Sequence, residues 1–219
     1  RATRQAKSGD KTGIAEKEFF TSLLEHVSSG KAARSHTVPE PMLTAVRECH
    51  LLTIKPVLYV ANVDDESLGE GNDYSSVLEA FAEKSGAGCL RICGQVEAEL
   101  SELEEEERDA FLDDMGVSEP GLHRLSREAY KLLSLQTFFT AGEIEVRAWT
   151  IHAGDLAPRA AGQIHTDFES NFIRAEVIAF DQYIEAGGEA KAKASGIMRV
   201  EGKEYIMCDG DVVHFRVGV

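Results

Sequence analysis

The first third of the chain carries its apolar residues at the spacing of helices. They fall at positions 15, 19, 20, 23, 24 and 27, which predicts a helix that ends near Gly30. After a loop that contains Pro39 and Pro41, a second stripe runs from Met42 to Leu52. Two stripes joined by a polar loop are typical of an antiparallel helical pair.

The pattern then changes to that of buried strands. Residues 57–61 form a short apolar run that ends in the polar sequence NVDD, and residues 89–93 form a second run that ends at Gly94. Between them a helix is predicted from apolar residues on one face, namely Tyr74, Val77, Leu78 and Phe81. Strand, helix and strand over about 40 residues make one βαβ unit of a doubly wound sheet.

Two more helices are predicted before the middle of the chain. Ser101 precedes an acidic run and has Glu104 three residues later, the pattern of a capping box at a helix start. Gly116 is expected to end that helix, and leucines between positions 122 and 133 predict the next one.

The last 80 residues predict a small α+β domain of β-grasp type. Apolar and polar residues alternate over positions 144–149, as in a half-buried strand. A short helix is expected at 158–164, a strand at 172–180 and a helix at 189–194. Two short strands with a hairpin turn at Glu201-Gly202 and a final strand at 212–217 complete the pattern.

The net charge of −15 is unevenly distributed. Residues 1–61 hold 9 Lys and Arg against 6 Asp and Glu, whereas residues 62–137 hold 6 against 19 and residues 138–219 hold 8 against 13. Only the first segment is net basic, so we do not expect binding to duplex DNA. Apolar runs are too short to cross a membrane, which needs about 18 residues.

The cysteines and histidines do not suggest a metal site. None of the four cysteines belongs to a CxxC pair, and the seven histidines show no metal-ligand spacing. We expect reduced thiols and no bound metal in this stretch. The sequence opens at Arg1 in polar, helix-compatible residues rather than at Met, and we expect it to be part of a longer chain.

Several stretches resemble the YchF-type Obg-like ATPases, a family of P-loop NTPases. They are residues 55–64 (KPVLYVANVD), 136–142 (QTFFTAG), 145–150 (EVRAWT), 160–169 (AAGQIHTDFE), 172–177 (FIRAEV), 201–206 (EGKEYI) and 209–212 (DGDV). The resemblance covers nearly the whole chain, and the stretch around His165 is its most particular part.

The resemblance implies three domains. Residues 1–53 would be part of a helical coiled-coil insertion, and residues 54–136 the C-terminal part of a P-loop NTPase domain with a partial doubly wound sheet. Residues 137–219 would be a TGS domain with the β-grasp fold. The fold class is therefore expected to combine α/β and α+β architecture.

The resemblance also implies a function. We expect the C-terminal part of an ATP-binding and ATP-hydrolysing protein, with GTP as a possible further substrate, that uses Mg²⁺ and associates with ribosomes or RNA in the cytoplasm. The alternative is a non-enzymatic ribosome- or RNA-binding TGS module. The sequence leaves the oligomeric state open.

In such proteins the loop after the strand at 57–61 recognises the nucleotide base. Guanine-specific relatives carry Asn-Lys-x-Asp there, and this chain has Asn62, then Val63 in place of the lysine, and Asp65 at the carboxylate position. The family usually has Glu at that position and tends to prefer ATP. Residues Cys93, Gly94 and Gln95 take the place of the last loop near the base. Without the resemblance, Asn62 would read equally well as a turn residue.

The phosphate-binding sequence of these enzymes does not occur in the chain. No G-x-x-x-x-G-K-[ST] is present, so nothing here would cradle phosphates or hold Mg²⁺ through a hydroxyl group. We therefore assign no catalytic residue and expect no hydrolysis by this stretch alone.

Three arginines of the TGS-like domain are candidates for binding a partner. Guanidinium groups can contact phosphates even in an acidic domain, and the candidates are Arg147, Arg159 and Arg174. The alternative is pairing within the chain, with Glu145, Asp167 or Glu176. The basic residues near the N-terminus are a second candidate contact for RNA.

Overall fold

The computed structural model describes residues 10–142 and 145–218. The basic positions Arg1, Arg4 and Lys7 and the predicted strand position Ile144 lie outside these ranges. The chain divides into two compact units, Arg1–Tyr59 with Ser76–Cys89 and Val60–Ser75 with Leu90–Val219. Over the described ranges, the helices are too short or too polar to cross a membrane.

The predicted first helix is confirmed as α1, Lys11–Ser28. Asp10 caps it, because its carboxylate oxygens accept hydrogen bonds from the amides of Thr12 and Gly13, each at 3.2 Å. Gly30 follows the helix with a φ of +83°, a conformation that favours glycine. The sequence therefore fixes both ends of α1.

The second stripe is more broken than predicted. It forms a 3-10 turn at Glu40–Met42, a six-residue helix α2 at Leu43–Glu48 and another 3-10 turn at Leu52–Ile54. His50 has a φ of +48°, which ends α2 before Leu51 can join it. The described residues therefore contain one long and one short helix here instead of a matched pair.

The predicted βαβ unit is confirmed as β1 (Leu58–Asn62), α3 (Asp73–Ser85) and β2 (Gly88–Ile92). Asn72 and Ser75 cap α3 reciprocally, since the amide of each donates to the side chain of the other. The two strands form a two-stranded sheet.

The apolar face of α3 is exposed in the described residues. Tyr74 is 88% exposed, Val77 71% and Phe81 54%, whereas Ser75 and Ala82 are buried. The periodicity thus predicted the helix correctly, but these apolar side chains have little cover.

Three helices follow: α4 (Gly94–Glu102), α5 (Glu105–Asp114) and α6 (Gly121–Leu132). The predicted capping role of Ser101 is wrong, because Ser101 lies in the last turn of α4 and its hydroxyl donates to the carbonyl of Ala98. The acidic run starts α5 one turn later. Gly116 ends α5 as predicted, with a φ of +68°.

The C-terminal residues form a mixed sheet of five strands, which are β3 (Leu135–Ala141), β4 (Val146–His152), β5 (Phe172–Ala179), β6 (Arg199–Glu201) and β7 (Asp211–Val217). The order of the strands in the sheet is β4-β3-β7-β5-β6. β3 is parallel to β7, and the other pairs are antiparallel. The helices between them are α7 (Ala157–Ile164), α8 (Thr166–Ser170), α9 (Phe180–Ala186) and α10 (Glu189–Ala194).

The core of this sheet lies on the face that α7 and α8 cover. Phe138, Val177 and Phe215 point to this face from neighbouring strands, and Ala157 and Ala160 of α7 pack against them. Because side chains alternate along a strand, the residues between these positions face the other side of the sheet.

The strands predicted at 172–180 and 212–217 are confirmed as β5 and β7, and the strand predicted at 144–149 is β4, whereas β3 was not predicted. In β4 the core side chains are Trp149 and Ile151, while the apolar Val146 is exposed.

The predicted hairpin at Glu201-Gly202 is wrong. β6 pairs with β5, and the chain after Gly202 turns away from β6. The hydroxyl of Tyr205 donates to the buried carboxylate of Asp211 at 2.8 Å, and the amide of Met207 donates to the carbonyl of Asp155. Burial and the hydrogen bond to Asp211 raise the pKa of Tyr205, so its hydroxyl remains a donor.

Glu176 is a buried carboxylate on the opposite face of the sheet. One of its oxygens accepts hydrogen bonds from Nε and Nη2 of Arg216, at 3.2 and 2.9 Å, and the other accepts from Arg174 at 3.2 Å. The hydrogen bonds from Arg216 lower the pKa of Glu176 more than burial raises it. The ionised carboxylate therefore joins β5 to β7.

We expect Glu176→Gln to reduce the free energy of unfolding by about 2 kcal/mol at pH 7, because charge-assisted hydrogen bonds are lost. Since the pKa of Glu176 is lowered on folding, its stabilisation is present above its ordinary pKa and is lost as the pH falls through the lowered value. The difference between wild type and variant should therefore shrink below about pH 4. Denaturant unfolding over a pH series measures it.

The matched control is Glu145→Gln. Glu145 faces Arg147 at 3.9 Å, and both side chains are exposed, so the change should stay within about 0.5 kcal/mol. Equal losses for the two variants, or a Glu176 difference that persists at pH 3, would contradict this assignment.

Candidate functional site

One hydrogen bond joins the two loops that were predicted to contact a nucleotide base. Oδ1 of Asn62, at the end of β1, accepts from the amide of Gly94 at 3.0 Å. Beside it, the amide of Val63 donates to the carbonyl of Ile92, the last residue of β2, at 2.9 Å. The structure therefore brings Asn62, Val63 and Gly94 together, as expected for loops at adjacent strand ends.

Val63 and Cys93 are turned towards the protein. Cys93 is buried in an apolar cluster with Val96, Leu100 and other side chains, and Val63 packs against the same cluster. The apolar contact that the sequence assigned to Val63 is therefore made with the interior of the chain. Its backbone remains beside Asn62.

The other predicted residues of these loops are exposed. Asp64 accepts a hydrogen bond from the amide of Ser67 at 2.9 Å, which starts the turn that follows. The carboxylate of Asp65 has no partner in the described ranges. Nε2 of Gln95 donates to Glu99 at 3.0 Å and is thus directed along α4.

The exposed side chain of Asn62 gives this arrangement a hydrogen-bond donor that is free for a ligand. The amide group of Asn62 uses its oxygen to hold Gly94, while its nitrogen donates to no acceptor in the described part of the chain. That nitrogen can donate to a ring nitrogen of a base. A β-carbon at position 94 would stand 3.4 Å from the Asn62 oxygen, an ordinary van der Waals distance, so the contact itself does not require glycine. The lack of a phosphate-loop sequence means that the phosphates of a nucleotide and Mg²⁺ would need residues outside this stretch.

The three candidate arginines do not form one cluster. Each lies near a carboxylate: Arg147 is 3.9 Å from Glu145, Arg159 is 3.6 Å from Glu169, and Arg174 is 3.2 Å from Glu176. The pairing predicted with Asp167 is not formed, because Asp167 faces the ring of His165.

Strand alternation separates these arginines further. Arg147 lies over the ring of Trp149, with its guanidinium carbon 4.2 Å from the ring centre, on the face that carries α7. Arg174 is on the opposite face. All three side chains are at least half exposed, so Arg147 and Arg159 are accessible on one side of the sheet.

One group of side chains has the spacing of metal ligands within the described residues. Ligand atoms of Glu176, Glu189 and His214 lie within 4.8 Å of one another. Two arginines already balance the charge of Glu176 and use both of its oxygens. The group therefore does not fit a divalent cation.

No role was predicted for α6, but a groove of about 950 Å³ lies between this helix and β3. His123, Arg127 and Lys131 of α6 line the groove at successive intervals of four residues. That interval is visible in the sequence and would have shown that the three basic side chains share one face.

Comparisons with known proteins extend over the whole chain. The family model YchF-GTPase_C, described as a protein of unknown function (DUF933), matches residues 135–218. The ribosome-binding ATPase YchF of Haemophilus ducreyi is 48% identical over 219 residues, which are 100% of this chain and 60% of that protein. The protein of the same name from Bacillus subtilis is 45% identical, with the same coverage. Over its whole length the chain is therefore similar to YchF proteins.

Solved structures show the same similarity. The YchF GTPase of Schizosaccharomyces pombe is 28% identical and has a TM-score of 0.77, covering 95% of this chain and 57% of that one. A GTP-binding protein from Pyrococcus horikoshii, 17% identical with a TM-score of 0.55 over 99% of this chain and 64% of that one, supports the fold alone. The chain spans about 60% of the length of the curated relatives that it matches.

In this chain, Asn62→Ala should expose the amide of Gly94. The loss of one hydrogen bond of about 1 kcal/mol predicts roughly fivefold faster hydrogen exchange at Gly94. Gln95→Ala is the matched control, because its side chain bonds to Glu99 and leaves Gly94 protected. Unchanged exchange at Gly94 in the Asn62 variant would mean that this hydrogen bond does not hold the loops.

Proposed function

We propose that this chain is the C-terminal part of an ATP-binding and ATP-hydrolysing NTPase that associates with ribosomes, and that it supplies the base-recognition loops and partner-binding surfaces. The contact between Asn62 and Gly94 carries the proposal, because it aligns the ends of two strands beside one exposed amide group. The relatives at 45–48% identity are named ribosome-binding ATPases, which supports both parts of it. Ribosome association would place the protein in the cytoplasm.

The domain organisation belongs to the same proposal. We assign residues 1–53 to part of a helical coiled-coil insertion, 54–136 to the end of the P-loop NTPase domain and 137–219 to a TGS domain. The family match at residues 135–218 begins where β3 begins, which supports the last boundary.

The exposed apolar side of α3 supports the assignment of residues 54–136 to the end of the P-loop NTPase domain. Helices of a doubly wound sheet normally bury their apolar side against further strands. Val77 and Phe81 lack that cover here. The part of the relatives beyond the matched 60% would supply the missing strands, the phosphate loop and the ligands of Mg²⁺.

The base would be held by Asn62 and the backbone of the two loops. The Asn62 nitrogen would donate to the base, and the cluster that holds Val63 and Cys93 would keep both loops rigid. Val63 replaces the lysine of guanine-specific relatives, which favours ATP, whereas Asp65 retains a carboxylate that can accept from guanine. ATP is therefore the proposed main substrate and GTP a secondary one.

Nucleotide binding by a protein that includes the phosphate loop tests these roles. Asn62→Ala should weaken ATP binding by about 1–2 kcal/mol, the scale of one hydrogen-bonding group. Val63→Lys should shift the preference towards GTP. Calorimetry measures both effects, and an unchanged ATP affinity with an unchanged ATP-to-GTP ratio would remove Asn62 and Val63 from the base site.

Two comparisons make that experiment specific. Gln95→Ala should leave both affinities unchanged, because Gln95 is directed along α4. The 219-residue chain alone should bind ATP no more tightly than about millimolar, which corresponds to ~4 kcal/mol. Micromolar binding would show that the phosphates are held within this stretch.

The alternative function is a non-enzymatic ribosome- or RNA-binding module. The exposed arginines of the TGS-like domain favour partner binding in either case, since an exposed ion pair is weak and can be replaced by a phosphate contact. A phosphate loop in the same polypeptide, together with ATP hydrolysis, would decide for the enzyme.

Co-sedimentation with ribosomes tests the arginines. The double variant Arg147→Gln/Arg159→Gln should weaken binding and reduce the slope of log affinity against log salt by about 1–2, one per lost phosphate contact. The control variant Lys191→Gln/Lys193→Gln removes two positive charges from α10 and thus changes the net charge by the same amount. If both variants bind alike, Arg147 and Arg159 do not contact the ribosome.

A further inference from the structure

The groove beside α6 is lined by basic and hydroxyl side chains on one wall. His123, Arg127 and Lys131 form a row along the helix, and the hydroxyl groups of Ser126 and Tyr130 lie next to it. Eight residues of helix span about 12 Å, so the row can reach successive phosphates of an extended strand. The opposite wall is formed by β3 and its neighbours, including Phe139.

The local charge of this groove contrasts with that of its surroundings. Residues 62–137 hold 19 acidic against 6 basic side chains, yet the lining contains Asp209 as its one carboxylate in the described residues. That carboxylate accepts a hydrogen bond from the amide of Thr137 at 2.7 Å. The groove therefore favours an anionic occupant.

The cations are available for such an occupant. Lys131 is exposed, and Arg127 pairs with Glu119 at the surface, an interaction that a phosphate can replace. The hydroxyl group of Tyr130 lies 3.1 Å from that of Thr150, which fixes one end of the ring, while the side chain stays 39% exposed. An aromatic ring that is held in place beside two cations can stack on a base while the cations bind phosphates of the same strand.

We propose that this groove, the α6 groove, binds a short segment of single-stranded RNA. Arg127 and Lys131 contact its phosphates, Tyr130 stacks on a base and His123 donates a hydrogen bond. The hydroxyl oxygen of Ser126, whose hydrogen is donated to the carbonyl of Leu122, accepts one. The identity of the RNA as ribosomal rests on the function proposed above. A duplex would present its phosphates on the outside of a wide cylinder and would leave no base for Tyr130.

Binding of a labelled oligouridine of about 12 nucleotides to the full chain tests the proposal. Arg127→Glu/Lys131→Glu should weaken binding at least about tenfold and reduce the salt slope by about 1.4, for two lost single-strand phosphate contacts. Tyr130→Leu should weaken it about fivefold with little change in slope, because stacking releases no counterions. Arg127→Lys/Lys131→Arg should keep most of the affinity.

The control Lys191→Glu/Lys193→Glu has the same net charge as the groove double variant and should bind within about twofold of wild type. Thermal unfolding by circular dichroism verifies that all variants fold. Equal losses in the control and the groove variant would overturn the proposal, as would wild-type affinity in the groove variant. If the groove variant loses the binding of polyglutamate but retains the binding of oligouridine, the groove is a site for an acidic peptide instead.

Ribosome co-sedimentation of the longer protein separates this inference from the function proposed above. Loss of sedimentation in the groove variant supports both. Wild-type protein that binds oligouridine through the groove but does not sediment with ribosomes supports the RNA site and contradicts the ribosome partner.

Discussion

The hydrogen bond from the amide of Gly94 to Oδ1 of Asn62 joins the start of α4 to the end of β1. This bond fixes where α4 begins, and Glu97 in the first turn of α4 then caps the next helix. Its carboxylate accepts from the amides of Gly121 and Leu122, at 2.6 and 3.2 Å, so that an anion lies at the positive end of α6. A β-carbon at Gly121 would stand 2.7 Å from that carboxylate, which explains the glycine. Because α6 leads directly into β3, two capping contacts define the position of the basic row relative to the base-recognition loops.

Acidic side chains of this protein occur both in buried pairs and at an exposed helix start. Glu176 and Asp211 are buried and accept hydrogen bonds from arginine or tyrosine, whereas the acidic run before Arg108 lies in the first turn of α5, where the helix dipole favours it. The few basic side chains that are not used in such pairs therefore have a large effect on the electrostatic potential of the surface around them. This is why surface position, rather than the net charge of −15, decides where an anion can bind.

The sequence predicted most elements, because apolar runs and alternation report local burial. The prediction failed where two local patterns indicated different helix boundaries, or where residues distant in the sequence determine the local structure. Ser101 and Glu104 match a capping box, but Val96 and Leu100 continue α4 into the apolar cluster, and burial outweighs a cap. The hairpin predicted after Glu201 does not form, because Tyr205 donates its hydroxyl hydrogen to the buried Asp211 and contacts β6 through the side chain of Arg199 rather than through strand pairing. The candidate base loops were found through family resemblance, whereas their orientation, with Val63 turned inwards, depends on a cluster assembled from three segments of the chain, 63–68, 93–103 and 111–117.

The chemistry of Asn62 explains why an amide suits this position better than a carboxylate. An aspartate could still accept a hydrogen bond from the amide of Gly94 and hold the two loops together, so this hydrogen bond alone does not require asparagine. A carboxylate, however, would have no hydrogen to offer a ring nitrogen and would repel its lone pair. In the proposed base site, asparagine would perform both tasks at once, since its oxygen accepts from Gly94 while its nitrogen has no acceptor within the described residues. Base binding of this kind would leave the hydrogen bond to Gly94, and with it the start of α4, in place.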